Sequence, residues 1–128
     1  MFRAIQIREA HFPGRVPIDA YGNGGFRFAD MSHRGSIICV PSGIYGIDMA
    51  SPIPTQEDMS RILKESFKIE VLLIGTGVEL LRLPEELRML LAEKRISSDT
   101  MSTGAAVRTF NVLLAENRAV AALLFAVE

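Results

Sequence analysis

Apolar and polar positions along this chain follow two different periods. From Phe2 to Arg8 they alternate, the mark of a strand with one buried face, and Phe12-Pro13-Gly14 interrupts the pattern. Ile18-Asp19-Ala20-Tyr21 and Phe26-Arg27-Phe28 flank Gly22-Asn23-Gly24-Gly25, whose residues tolerate positive φ and so predict a hairpin. An Asn-Gly loop also suits a ligand, but the turn needs none. Ser36 to Val40 is a β-branched run stopped by Pro41 and predicts a buried strand. Ser42 to Pro54, punctuated by glycine and proline, is the least regular stretch.

After Pro54 the period becomes helical. Thr55-Gln56-Glu57-Asp58 has the form of a capping box, and Met59, Ile62 and Leu63 follow at helical spacing, predicting a helix to about Phe67. Glu70 to Ile74 is a nearly continuous apolar strand closed by Gly75. Pro84 suits the first position of a second helix, with Glu85 and Glu86 at its positive end and Leu83, Leu87, Leu90 and Leu91 as its apolar stripe. Ile96 to Met101 is extended. A third helix runs from about Thr103 to Glu116, with Ser102 or Thr103 as cap, Ala106, Phe110, Leu113 and Leu114 facing inward, and Asn117 taking a left-handed turn after it. Arg118 to Val127 closes the chain as a strand apolar at both parities, hence central in a sheet covered on both sides. The order predicts a layered α/β domain with one mixed sheet.

Composition narrows what such a domain does. The 128 residues fit one domain, with a β-rich part over 1–35 and an α/β core over 36–128. An apolar fraction of 48% and a charged fraction of 23% are those of a globular chain. The net charge of −1 gives no basic face for nucleic acid. Arg3, Arg8, Arg15, Arg27 and Arg34 are interleaved with Glu9, Asp19 and Asp30, a solvated pattern. No secretory core follows the N-terminus, and the apolar run Ala119 to Val127 is far short of the about 20 residues of a spanning helix. Too few alternating strands remain for a transmembrane barrel. The expected location is cytoplasmic, without membrane insertion.

Chemistry is sparse. Cys39, the only cysteine, sits in Ile37-Ile38-Cys39-Val40 as a small apolar group. His11 and His33 have no metal-ligand spacing, and no hydrolase elbow, zinc motif or redox pair is present, so nothing calls for a metal or cofactor or marks a catalytic residue. Gly75-Thr76-Gly77 ends a strand where a backbone could approach a phosphate. The third glycine of a dinucleotide fingerprint would fall on Leu80, and the next helix starts too late to aim its N–H groups. Thr103 opens the third helix, where free N–H groups and the dipole favour an anion. Arg108, Thr109 and Asn111 are polar positions on that mostly apolar helix.

A resemblance is carried by Ile74-Gly75-Thr76-Gly77, Pro84, Asp99-Thr100-Met101-Ser102-Thr103, Arg108-Thr109-Phe110-Asn111-Val112-Leu113 and Glu116-Asn117-Arg118-Ala119-Val120-Ala121-Ala122-Leu123. Tyr21-Gly22-Asn23-Gly24-Gly25-Phe26-Arg27 adds to it more loosely. In this order they resemble a family of small proteins of unknown function that includes the mitochondrial complex I assembly factor 3 and the adipogenesis-associated Mth-domain protein. The resemblance implies a three-layer α/β fold: a central mixed five-stranded sheet, helices on both faces and an additional N-terminal β layer. It directs functional interest to Gly75, Gly77, Met101, Thr103 and Asn111. It implies a non-enzymatic interaction or assembly factor, with an unidentified protein partner such as respiratory-complex subunits. Relatives end the second helix with glycine where this chain has Arg95. The alternative is a small-molecule or anion-binding protein, or an enzyme, using a cleft between Gly75-Thr76-Gly77 and Thr103, with Arg108 adding charge.

Overall fold

The computed structural model describes residues 11–128, so the strand expected from Phe2 to Arg8 lies outside the described residues. Nine strands and three α-helices follow one another among them. The first six strands are β1 (His11–Pro13), β2 (Ala20–Gly22), β3 (Gly25–Phe28), β4 (Met31–Arg34), β5 (Ser36–Val40) and β6 (Gly43–Ile47). Then come α1 (Ser60–Lys64), β7 (Val71–Gly75), α2 (Glu85–Glu93), β8 (Ser97–Met101), α3 (Thr103–Ala115) and β9 (Val120–Leu124).

Six strands form a mixed sheet in the order β1-β6-β5-β9-β7-β8, and β2-β3-β4 form a separate antiparallel sheet. β9 is interior, antiparallel to β5 and parallel to β7. Its alternate residues feed two cores. Val120, Ala122 and Leu124 meet Phe26 and Phe28 of the small sheet and Ala106, Val107 and Phe110 of α3. Ala121 and Leu123 meet Met59, Ile62, Leu87 and Leu91 on the opposite face. This is why the strand has no polar parity, and it establishes the three-layer α/β arrangement with helices on both faces and an N-terminal β layer.

The central sheet has six strands where five were expected. His11–Pro13 adds to β6 at the place where Phe12-Pro13 was read as a break, and Pro13 is accommodated because an edge strand needs few donors. β6 itself falls in the stretch expected to be irregular. Pairing with β5 on one side and β1 on the other supplies the order that its local sequence does not advertise. The first helix is also shorter than expected. Thr55 and Asp58 do form a reciprocal cap at 2.8 and 3.1 Å, but 3-10 turns at Glu57–Met59 and Ser66–Lys68 bracket a five-residue α1. Glu65 ends that helix, its carboxylate held by the Ser42 backbone N–H at 2.9 Å and by the Ser42 hydroxyl. Phe67, at 80% exposure, lies outside the core. Pro84 caps α2 from one position outside it, with ψ 143°.

Candidate functional site

At the carboxyl end of β7, the main chain runs against the first turn of α3. A Cβ on Gly75 would stand 2.9 Å from Thr103 Cα and 3.1 Å from its Oγ1, so only glycine permits this approach. Gly77 has φ +96°, a left-handed turn that leads the chain away. Between them Thr76 is buried. Its backbone N–H donates to the Met101 carbonyl at 2.9 Å, and its hydroxyl donates to the Glu79 carbonyl at 2.6 Å while accepting from the Leu81 N–H at 3.0 Å.

Thr103 is fully buried and closes the other side. Its backbone N–H donates to the Gly77 carbonyl at 2.8 Å, and its hydroxyl accepts from the Gly77 N–H at 3.0 Å and donates to the Phe125 carbonyl at 2.7 Å. One side chain thus joins the β7 turn, the start of α3 and the end of β9. The helix cap is Ser102, whose hydroxyl accepts from the Ala105 N–H at 3.3 Å. Gly75, Thr76, Gly77, Met101 and Thr103 are therefore brought together, and none of them carries a titratable group.

Arg108 and Asn111 stand farther along α3. Arg108 is exposed. Asn111 makes a two-point bond to one residue of the N-terminal layer: Oδ1 accepts from the Ile18 N–H and Nδ2 donates to the Ile18 carbonyl, both at 2.9 Å. The side chain acts as a strand partner would, so the small sheet is fastened to α3 through it. Cys39 is 2% exposed, and burial pushes its thiol well above the ordinary range, so it stays protonated and unreactive as a nucleophile.

Among the described residues, open depressions lie elsewhere, including a pair of about 230 Å³ each. One, on the small sheet, is lined by residues including Asn23, Arg27, His33 and Arg34. The other lies beside β8 and is lined by Arg82, Leu83, Arg88, Ser98, Asp99 and Thr100. Sequence reasoning did not single out this second group. Its signal is the polar Ser98 and Thr100 in an otherwise apolar sheet, but only the fold places Arg82 and Arg88 opposite them. Among the described residues no group of three or more His, Cys, Asp or Glu is arranged to hold a metal ion. No described helix is long and apolar enough to cross a membrane.

The chain is 35% identical to an uncharacterised protein of Rhodobacter capsulatus over 91% of its length and 90% of that protein's. It is 27% identical to mouse NADH dehydrogenase [ubiquinone] 1 alpha subcomplex assembly factor 3, over 94% of this chain but only 65% of the mouse protein. The crystal structure of an outer membrane protein from Bartonella henselae superposes with a TM-score of 0.91 at 89% identity, covering 92% of this chain and all of the other. The family model for the proteins of unknown function DUF498/DUF598 matches residues 18–125, and the chain belongs to that family.

Proposed function

We propose that this chain is a non-enzymatic interaction protein that assists assembly of a respiratory complex from the cytoplasmic side, with subunits of that complex as its partners. The similarity to the mouse assembly factor across 94% of the chain carries this reading. The chemistry of the strand-helix junction supports it: the side chains meeting there offer no acid, base or nucleophile, and both threonine hydroxyls already have protein partners. Affinity capture from native lysate with the tagged full chain tests the reading. NADH dehydrogenase subunits enriched over a tag-only control are the expected result. Capture of none, together with unchanged levels of the assembled complex after deletion of the gene, would overturn it.

A second reading, an anion or small-molecule site at Gly75-Thr76-Gly77 and Thr103, is favoured by the convergence of these residues at the carboxyl end of a parallel strand. A ligand there would have to displace internal hydrogen bonds, with Arg108 contributing from the helix surface. Calorimetric titration with inorganic phosphate separates the readings. Binding lost in a folded Arg108→Ala, Thr76→Val variant favours the site, and no heat of binding to the wild type removes it.

A further inference from the structure

Among the described residues β8 is an edge strand, hydrogen-bonded to β7 on one side and to no described strand on the other. The Ser97 N–H donates to the Glu70 carbonyl at 2.9 Å, and the Met101 carbonyl accepts from the Thr76 N–H at 2.9 Å, so odd-numbered residues of β8 serve the β7 ladder. In a parallel strand the N–H and C=O of one residue point the same way. The backbone groups of Ser98 and Thr100 therefore face outward, away from β7. The opposite edge strand, β1, ends on a proline, whereas β8 contains neither proline nor lysine, the usual guards of an open edge.

Side chains add a sign to this edge. Ser98 and Thr100 are in register with Leu72 and Ile74, which belong to the core beneath α1 and α2, so their hydroxyls lie on the α2 face beside Arg82 and Arg88. Asp99, which also lines the depression, is in register with Leu73 of the opposite core, so the alternation along β8 assigns its side chain to the other face of the sheet from Ser98 and Thr100. Both arginines are exposed, and neither guanidinium makes a hydrogen bond or ion pair among the described residues.

We propose that β8 is a docking edge for an extended, acidic segment of a protein partner, which adds a strand beside Ser98 and Thr100 and sets its carboxylates against Arg82 and Arg88. This rests on the reading of the chain as an interaction protein. A free anion would use the guanidiniums and the N–H groups but would face the two outward carbonyls. An added strand satisfies donors and acceptors together, and bidentate arginine pairing selects carboxylates at alternate positions.

The test is a titration of the 15N-labelled full chain with a capped hexapeptide alternating threonine and glutamate, and with its threonine-lysine counterpart. The expected result is saturable shifts of the Ser98 and Thr100 amides with the acidic peptide only. Arg82→Glu, Arg88→Glu should weaken that binding at least about tenfold and create affinity for the lysine peptide, since the charge-assisted pairs are reversed. Thr100→Pro removes an outward N–H without touching the β7 ladder and should also abolish binding. No shifts, equal binding of both peptides by the wild type, or inorganic phosphate moving the same amides without any response to peptide would each overturn the proposal. The two readings fail separately. Lysate partners captured equally by wild type and the double arginine variant would leave the assembly reading standing and remove this edge. Peptide binding with no captured partner would do the reverse.

Discussion

Thr103 shows how much one side chain can hold. Its hydroxyl links the buried Gly77 N–H to the part-buried Phe125 carbonyl, so Thr103→Val keeps the shape but leaves both groups without this partner. The expected loss is about 2–4 kcal/mol by denaturant unfolding, against about 1 kcal/mol for Thr103→Ser, which sacrifices only a methyl group. A simple cap would have cost about 1 kcal/mol on removal; Ser102 fills that role instead. Cys39 makes a prediction about pH. Its folded-state pKa is raised by burial, so the folded thiol stays neutral where an exposed thiol, near 9.0, ionises. Its contribution is fully present below that value and is lost as pH rises above it, at about 1.4 kcal/mol per pH unit. Urea unfolding of wild type and Cys39→Ala from about pH 8 to about pH 10 should show a shallower decline in the variant.

Among the elements, α2 and β9 carry their signatures most clearly. Leucines at helical spacing and acidic residues in the first turn form α2, and its last turn ends on Arg95 at φ 62°. The side chain there has no steric excuse for a left-handed conformation. Arg95→Gly is expected to raise stability by about 1 kcal/mol, visible as a higher melting temperature, because glycine meets no Cβ penalty at that position. The interior place of β9 yields a harsher test. Leu123 is completely buried in the core beneath α1 and α2. Leu123→Asp places an unpaired charge there at a cost comparable with the roughly 5–15 kcal/mol stability of a domain, so the variant should lack a cooperative melt by circular dichroism.

For the whole molecule, the Asn111 side chain is one of the long-range polar contacts that join the layers. Asn111→Ala leaves the Ile18 N–H and carbonyl without their partner and should cost about 2 kcal/mol. Hydrogen exchange should accelerate most at the amides of β2, β3 and β4, while β7 and β9 stay protected. The strands β2, β3, β5, β7, β8 and β9, the helices α2 and α3, the hairpin at Asn23-Gly24 and the left-handed Asn117 were legible because each depends on residues within a few positions of one another, whereas β4 was not called. The likeness carried by Gly75-Thr76-Gly77 and the segments after it was legible for the same reason. Tertiary structure alone decided the rest. β6 and the added edge strand β1 exist through pairing, and α1 is cut short where Glu65 turns to Ser42. Thr103 and Asn111 take partners 26 and 93 residues away, and Arg82 and Arg88 meet Ser98 and Thr100 only when α2 packs beside β8. Local periodicity is set by neighbouring residues, whereas the partner of an edge strand or a buried hydroxyl is chosen by the folding of distant segments onto one core.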